Sequence, residues 1–192
     1  MKTKQFIYLL LICSIMPLLY SCATIPKGAV AVKPFNKERY LGKWYEVARK
    51  DFKYERNLNN VTAEYSLNDN GTIKVDNQGY NTVKEEWSQA IGKAKFVKDE
   101  NTAMLKVSFF GPFYSGYNVI AIDDEYKYAL VAGKNFKYLW ILSRETNIPE
   151  EIKDKYLNIA EEIGYDTSDL IWVEHDKHNS ICQDGIIDSL AC

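Results

Sequence analysis

Eight short segments of alternating apolar and polar residues follow one another through the middle of the chain. Such alternation is typical of β-strands that bury one face. The connections between segments are rich in turn-forming residues, as in Asn68-Asp69-Asn70-Gly71, and are short enough to join antiparallel neighbours. The pattern therefore predicts an all-β fold, an eight-stranded up-and-down antiparallel barrel, because closure leaves no exposed sheet edge. A β-sandwich is the alternative. The predicted strands are 42–52, 61–67, 72–80, 86–97, 102–109, 116–122, 126–132 and 138–144.

One helix is predicted after the last strand, at about residues 150–163. Pro149 suits the first turn, and the acidic pair Glu150 and Glu151 favours the positive end of a helix. Gly164 is a typical residue to end it. Apolar side chains recur on one face, so the helix is expected to pack that face against the outside of the barrel. The apolar residues of this face are Ile152, Tyr156, Ile159, Ala160 and Ile163. A further short strand is predicted at 170–174.

The first 21 residues have the pattern of an export signal. Lys2 and Lys4 precede an apolar run over 6–19, which is shorter than the ~20 residues of a spanning helix. The run ends in Leu19-Tyr20-Ser21-Cys22, which resembles the lipobox of bacterial lipoproteins. That resemblance implies acylation of Cys22, cleavage before it, and a lipid-anchored location at the outer membrane, facing the periplasm. The alternative is an ordinary signal peptide with a coincidental cysteine.

The remaining chain divides into three parts. Residues 22–38 are interpreted as a tether, 39–176 as the barrel with its helix, and 177–192 as a polar tail. Cys182 and Cys192 lie in this tail, and an oxidising compartment allows them to pair. Pairing within one chain and pairing between two chains, which would give a homodimer, are both compatible with the sequence.

Charge and histidine content exclude several classes of function. The formal net charge is −2, without the clustered basic face that a nucleic-acid partner requires. The only histidines are His175 and His178, which are expected at the surface beyond the barrel strands. No cysteine lies between Cys22 and Cys182, so a thiol nucleophile inside the barrel is absent. We therefore predict no catalytic residues, no metal and no cofactor.

Three motifs occur in order along the predicted barrel. Gly42-Lys43-Trp44-Tyr45-Glu46-Val47-Ala48-Arg49 opens the first strand, Asp124-Glu125-Tyr126-Lys127-Tyr128 stands before the seventh, and Leu142-Ser143-Arg144 ends the eighth. Together they resemble the signatures of the lipocalin family, with most similarity to the bacterial outer-membrane lipoprotein lipocalins. The resemblance covers about residues 35–175. It implies that the barrel is hollow, whereas composition alone does not distinguish a hollow barrel from a filled one.

Strand polarity places two of these motifs at the same end of the barrel. If Trp44 begins the first strand at the base, the eighth strand returns there and ends at Arg144. A guanidinium over an indole contributes roughly 1–2 kcal/mol when it is partly desolvated. We therefore expect Gly42, Trp44 and Arg144 to form the closed base.

The cavity wall and its mouth are predicted from the same alternation. Counting back from Arg144 points Tyr138, Trp140 and Leu142 inward. In the sixth strand we take Tyr117, Val119 and Ala121 as the inward set, with Asn118, Ile120 and Ile122 as the alternative. Mouth loops at 53–60, 81–85, 110–115 and 133–137 carry an aromatic rim and several cations. The rim residues are Phe110, Phe113, Tyr114 and Phe136; the cations are Lys53, Arg56, Lys134 and Lys137.

The predicted function is that of a membrane-anchored binding protein. It is expected to store or transport a small amphiphile, a fatty acid or lysophospholipid, for maintenance of the cell envelope. Two alternatives remain open from the sequence: an enzyme acting on a bound lipid or terpenoid, and a carrier of a pigment or haem.

Overall fold

The computed structural model describes residues 25–177. The predicted signal segment, Cys22, His178 and both tail cysteines lie outside this range. Nine strands and two helices follow in chain order: α1 (Lys37–Tyr40), β1 (Gly42–Arg49), β2 (Leu58–Leu67), β3 (Ile73–Asn81), β4 (Glu86–Phe96), β5 (Met104–Phe110), β6 (Phe113–Ile122), β7 (Tyr128–Ala132), β8 (Leu139–Ser143), α2 (Glu150–Ile163) and β9 (Ile171–Trp172).

The first eight strands form a closed up-and-down barrel. Each strand pairs antiparallel with the next, and β1 pairs with both β2 and β8, which closes the sheet. Tyr45 shows the closure directly, since it faces Thr62 on one side and Ser143 on the other. β9 continues the sheet along the upper part of β1, where Ala48 faces Trp172. The predicted fold class is confirmed.

The hairpin between β5 and β6 is shorter than the sequence suggested. The predicted mouth loop at 110–115 reduces to Gly111 and Pro112, because Phe110 pairs directly with Phe113. Ser115 pairs in turn with Val107, so the ladder continues where a loop was expected. The wall at this point therefore ends in two facing phenylalanines.

Helix α2 packs on the outside of the barrel, as predicted. Its buried residues, Tyr156 and Ala160, join an outer cluster with Leu130 and Ile141 of the sheet. The Tyr156 hydroxyl donates to the carbonyl of Tyr128 at 2.8 Å. Gly164 ends the helix with φ +107°, a left-handed conformation that glycine adopts without penalty.

The segment before α1 belongs in part to the folded domain. Residues 22–38 were interpreted as a tether, but Ala31 and Phe35 are buried. The amide of Val32 donates to the carbonyl of Val119 at 2.9 Å, and its carbonyl accepts from Ala103. Burial of the Phe35 ring explains why this stretch packs onto the barrel instead of extending into solvent.

The base of the barrel is closed by Trp44 and Arg144. Trp44 is fully buried, and the Arg144 guanidinium lies 3.8 Å from its ring centroid. The same guanidinium donates to backbone carbonyls of α1, the start of β1 and the loop before β7. Gly42 has φ +89°, and an added Cβ would lie 3.5 Å from Arg144 Nη1. The three residues thus lie together at the base.

Replacing Trp44 tests this closure. Trp44→Ala is expected to lower the free energy of unfolding by about 3–5 kcal/mol, because a large and fully buried ring is removed. Trp172→Ala is the matched control; its ring is 43% exposed on β9, so a loss of about 1 kcal/mol or less is expected. Chemical denaturation followed by circular dichroism measures both. Equal losses would contradict the role assigned to Trp44.

Candidate ligand-binding cavity

A cavity of about 600 Å³ runs through the barrel from its closed base to its mouth. Tyr40 and Tyr65 line its deep end, and Phe113 and Lys134 lie at its open end. Its volume falls within the ~300–1,000 Å³ of sites that hold small organic ligands. Side chains from β1 to β6 and β8 line it, so the barrel is hollow.

Most of the predicted lining residues face this cavity. Those that do are Tyr117, Tyr138, Trp140, Leu142, Phe110, Phe113 and Tyr114. Val119 does not line it; the side chain is fully buried in the inner core with Trp44 and Val131. Phe136 is also not part of the lining, because its ring packs edge-on against Tyr165 at 5.1 Å, outside the barrel.

A β-bulge corrects the predicted orientation of β6. The alternation assigned Ala121 to the interior with Val119. The pairing with β7 shifts by one residue between these two positions. Ala121 consequently faces the outer cluster beneath helix α2, and Ile122 turns inward instead. A bulge adds one unpaired residue and so reverses the parity of every residue that follows.

The sequence analysis missed the lining contributed by β2 to β5. These strands form much of the apolar wall, and strand alternation applied to each of them would have identified these positions. The additional residues are Val61, Ala63, Tyr65, Ile73, Val75, Leu105, Val107 and Phe109.

Three tyrosines form a hydrogen-bonded floor at the deep end. The Tyr117 hydroxyl lies 2.6 Å from that of Tyr40 and 2.8 Å from that of Tyr65. Burial raises the pKa of all three hydroxyls, so they remain protonated and neutral. Because they bond to one another, three polar groups are accommodated at the end of an otherwise apolar space.

A buried arginine connects the upper wall to the loop between β1 and β2. Arg49 Nη1 donates to Glu46 Oε1 at 2.8 Å. Its Nη2 donates to the carbonyls of Glu55 at 2.7 Å and Leu58 at 3.0 Å. Glu55 Oε2 in turn accepts from Trp140 Nε1 at 3.0 Å. These bonds hold residues 50–57 against the cavity mouth.

The inward position of Arg49 depends on a second bulge. The pairing of β1 with β8 shifts between Glu46 and Ala48. Val47 and Ala48 therefore both face the outer cluster, and Arg49 returns to the interior opposite Trp140. Simple alternation from Trp44 predicts Glu46 inside the barrel but places Arg49 outside.

The two carboxyl groups of this cluster have raised pKa values. Burial, and then the neighbouring Glu55, raise the pKa of Glu46 well above its ordinary value of 4.5. Burial also raises the pKa of Glu55. The Arg49 guanidinium opposes both rises, because its positive charge favours the ionised carboxylates.

The predicted mouth cations have different surroundings. Lys134 lines the cavity. Arg56 forms an exposed ion pair with Asp51 at 3.0 Å, and the Lys53 ammonium lies 5.7 Å from the centroid of the Tyr54 ring. Lys137 is exposed and is not part of the lining. Lys134 is therefore the mouth cation placed to meet a ligand.

His175 is packed and not freely exposed, contrary to the expectation. Its Nε2 lies 2.8 Å from the carbonyl of Glu46, and its ring meets Tyr45 edge-on at 5.4 Å. Burial lowers the pKa of this imidazole. Within residues 25–177 no group of three or more His, Cys, Asp or Glu side chains is arranged to hold a metal ion. None of the helices in that range is long and apolar enough to cross a membrane.

Comparison with known proteins places this cavity in a family. The model of the lipocalin-like domain matches residues 35–175. The chain belongs to the lipocalin family. It is 54% identical over 154 residues to the outer membrane lipoprotein Blc of Citrobacter freundii, covering 80% of this chain and 87% of the relative. The Vibrio cholerae protein of the same name is 48% identical over 166 residues, with 86% and 96% covered. The predicted outer-membrane lipoprotein localisation is thereby confirmed.

Solved structures agree on the fold. Insecticyanin from Manduca sexta superimposes with a TM-score of 0.63 at 19% identity, covering 79% of this chain and 86% of the other. Lobster apocrustacyanin A1 gives a TM-score of 0.60 at 20% identity, with 79% and 90% covered. At these identities the similarity shows the barrel architecture alone.

The carboxyl cluster predicts an unusual dependence of stability on pH. Glu46 binds its proton more tightly in the folded state, so its contribution is present below pH 4.5 and is lost as pH rises through the folded pKa. Glu46→Gln keeps an acceptor for Arg49 and removes this titration. We expect the urea midpoint of this variant to change less than that of the wild type as pH rises above 4.5.

Glu64→Gln, on the exposed face of β2, is the control and should follow the wild-type pH profile. If the profile of Glu46→Gln also matches the wild type, the proton is not held by this pair.

Proposed function

We propose that this lipocalin binds a single-chain amphiphile, a fatty acid or lysophospholipid, and stores or transports it at the cell envelope. The observation that carries the proposal is the cavity of about 600 Å³, which is closed at the base and open at an aromatic mouth. Each methylene transferred from water into such a space is worth about 0.8 kcal/mol before ordering costs. An acyl chain is the ligand class that uses an elongated apolar cavity of this kind.

The apolar walls support a location for the tail. Val75, Leu105, Val107 and Leu142 line the cavity between floor and mouth. The tyrosine hydroxyls beneath them bond to each other and so do not need a charged partner. The tail extends toward that floor.

The charges support a location for the head group. Glu46 and Glu55 share the upper wall with a single guanidinium, and a second anion beside them would be unfavourable. Lys134 lies at the rim of the cavity, where an ammonium can meet a carboxylate or phosphate in partial contact with water. The head group remains at the mouth.

An acyl anchor at Cys22 completes the proposed function. A single acyl chain binds membranes only marginally, so stable attachment requires two or more. Binding is proposed in preference to catalysis, because the family match and the apolar lining both favour retention of a ligand. An enzyme would convert the bound lipid, and mass spectrometry of co-purified and incubated lipids would detect the product.

The affinity of delipidated protein for fatty acids is expected to rise with chain length and then to level off. The gain stops when the cavity is full, because further methylenes remain in water. Titration should change the fluorescence of Trp140, measured in a variant without Trp87 and Trp172. Affinity that does not vary with chain length would contradict a tail inside the barrel.

A pair of substitutions on β4 sharpens this test. Ala90→Trp places an indole in the cavity lining and is expected to weaken binding at least about tenfold. Ile91→Trp is the matched control, since Ile91 is the next residue in the strand, is 49% exposed and is not part of the lining. Equal affinities for the two variants would exclude the cavity as the binding site.

Mass spectrometry of the mature protein tests the anchor. We expect the N-terminus at Cys22 with at least two acyl chains, and incorporation of labelled palmitate that Cys22→Ser abolishes. Cys13→Ser should leave the labelling unchanged, because this residue is removed with the signal segment. An unmodified N-terminus, or one at another residue, would show that residues 19–22 do not direct acylation.

A further inference from the structure

Large exposed apolar side chains are concentrated at the mouth of the barrel. Tyr54, Val83, Phe110 and Phe113 lie in or beside its loops and are 67–79% exposed; we call these four residues the apolar rim. The rings of Tyr54 and Phe110 are 6.0 Å apart, and Phe110 faces Phe113 across the hairpin. At the loops of the opposite end, Leu67 is the comparable exposed residue among those described, at 47%. A clustered apolar patch of this kind marks an interaction surface.

Formal charge is also distributed unequally between the two ends. The segments at the mouth, 50–57, 82–85, 111–112, 133–138 and 164–170, contain six basic and five acidic residues. The segments at the base, 33–41, 68–72, 97–103, 123–127 and 144–149, contain six basic and eight acidic residues. An anionic surface would therefore favour the mouth over the base.

The chain enters the barrel from the side of the mouth. Helix α2 rises from the base and ends beside the mouth loop, since a Cβ at Gly164 would lie 3.9 Å from the Phe136 ring. Gly28 lies against the last residue of this helix, where a Cβ would lie 3.8 Å from Ile163 Cγ2. From there the segment descends to Val32, which bonds to Val119.

The length of chain between Gly28 and Cys22 limits where an anchor can lie. Six residues extend at most about 20 Å. Gly28 lies beside the mouth loop, so an anchor at Cys22 can reach a membrane placed against the mouth.

We propose that the barrel docks mouth-first on an anionic lipid surface, with the apolar rim entering the interface and the nearby lysines meeting the head groups. Burial of the rim and attraction of the mouth cations favour this orientation, and the anchor permits it. The inference rests on the acylation of Cys22 proposed above and extends it. In this orientation the amphiphile passes between bilayer and cavity without crossing water.

The orientation is tested with the full acylated protein reconstituted into phosphatidylethanolamine–phosphatidylglycerol vesicles. Val83→Trp places a fluorophore in the apolar rim outside the cavity lining, and Leu67→Trp is the matched control at the base. Lipids brominated in their acyl chains are expected to quench the added fluorescence of Val83→Trp and to leave that of Leu67→Trp unchanged. Quenching at Leu67→Trp that equals or exceeds that at Val83→Trp would overturn the proposal.

A transfer assay tests whether the amphiphile passes directly between bilayer and cavity, with substitutions at residues outside the cavity lining. Val83→Glu combined with Lys84→Glu is expected to slow transfer of a fluorescent fatty acid from these vesicles at least about tenfold, with the equilibrium affinity unchanged. Leu67→Glu should transfer at the wild-type rate. Equal rates for all three proteins would overturn the proposal.

The alternative to a lipid surface at the apolar rim is a second copy of the chain. Absence of lipid quenching at Val83→Trp, together with a particle mass of two chains that falls to one in the Val83→Glu, Lys84→Glu variant, would assign the rim to a homodimer and overturn docking. Quenching does not require a bound ligand, so failure of the ligand titration and failure of docking are separate outcomes.

Discussion

The Arg144 guanidinium is the contact on which the closed end of the barrel depends. It lies over the Trp44 ring and donates hydrogen bonds to carbonyls from α1, the start of β1 and the loop before β7. Two of these segments, α1 and the start of β1, lie about a hundred residues before Arg144 in the chain. A planar group with five donors satisfies several of these carbonyls at once, which a lysine ammonium does not. With this end closed, the barrel has a floor and a single mouth.

Polar groups inside the barrel are paired with one another, so the cavity remains largely apolar. The tyrosine floor bonds within itself, and Arg49 is balanced by the carboxyl pair that shares the upper wall. The second cluster also holds the loop at 50–57 in place, because Arg49 bonds to the carbonyl of Glu55 in this loop and to that of Leu58 where the loop ends.

The two ends of the barrel have different physical properties, and this difference connects ligand binding to location. The base is closed by an arginine, whereas the mouth carries the apolar rim. The chain enters beside the mouth at Gly28, so the proposed anchor can reach a membrane at the opening. In the proposed orientation the amphiphile, the membrane and the cavity entrance are brought together.

Alternation and turn residues were sufficient to predict the number of strands, their polarity and the external helix, because these properties depend on local periodicity. The meeting of Trp44 and Arg144 followed from the same polarity. Tertiary structure alone decided the features that break the period. Two bulges moved Ala121 outward and Arg49 inward, since one extra residue reverses the facing of all that follow. Packing of Phe35 against the base and the partners of the buried carboxyl groups likewise depend on distant contacts, which a local pattern does not contain.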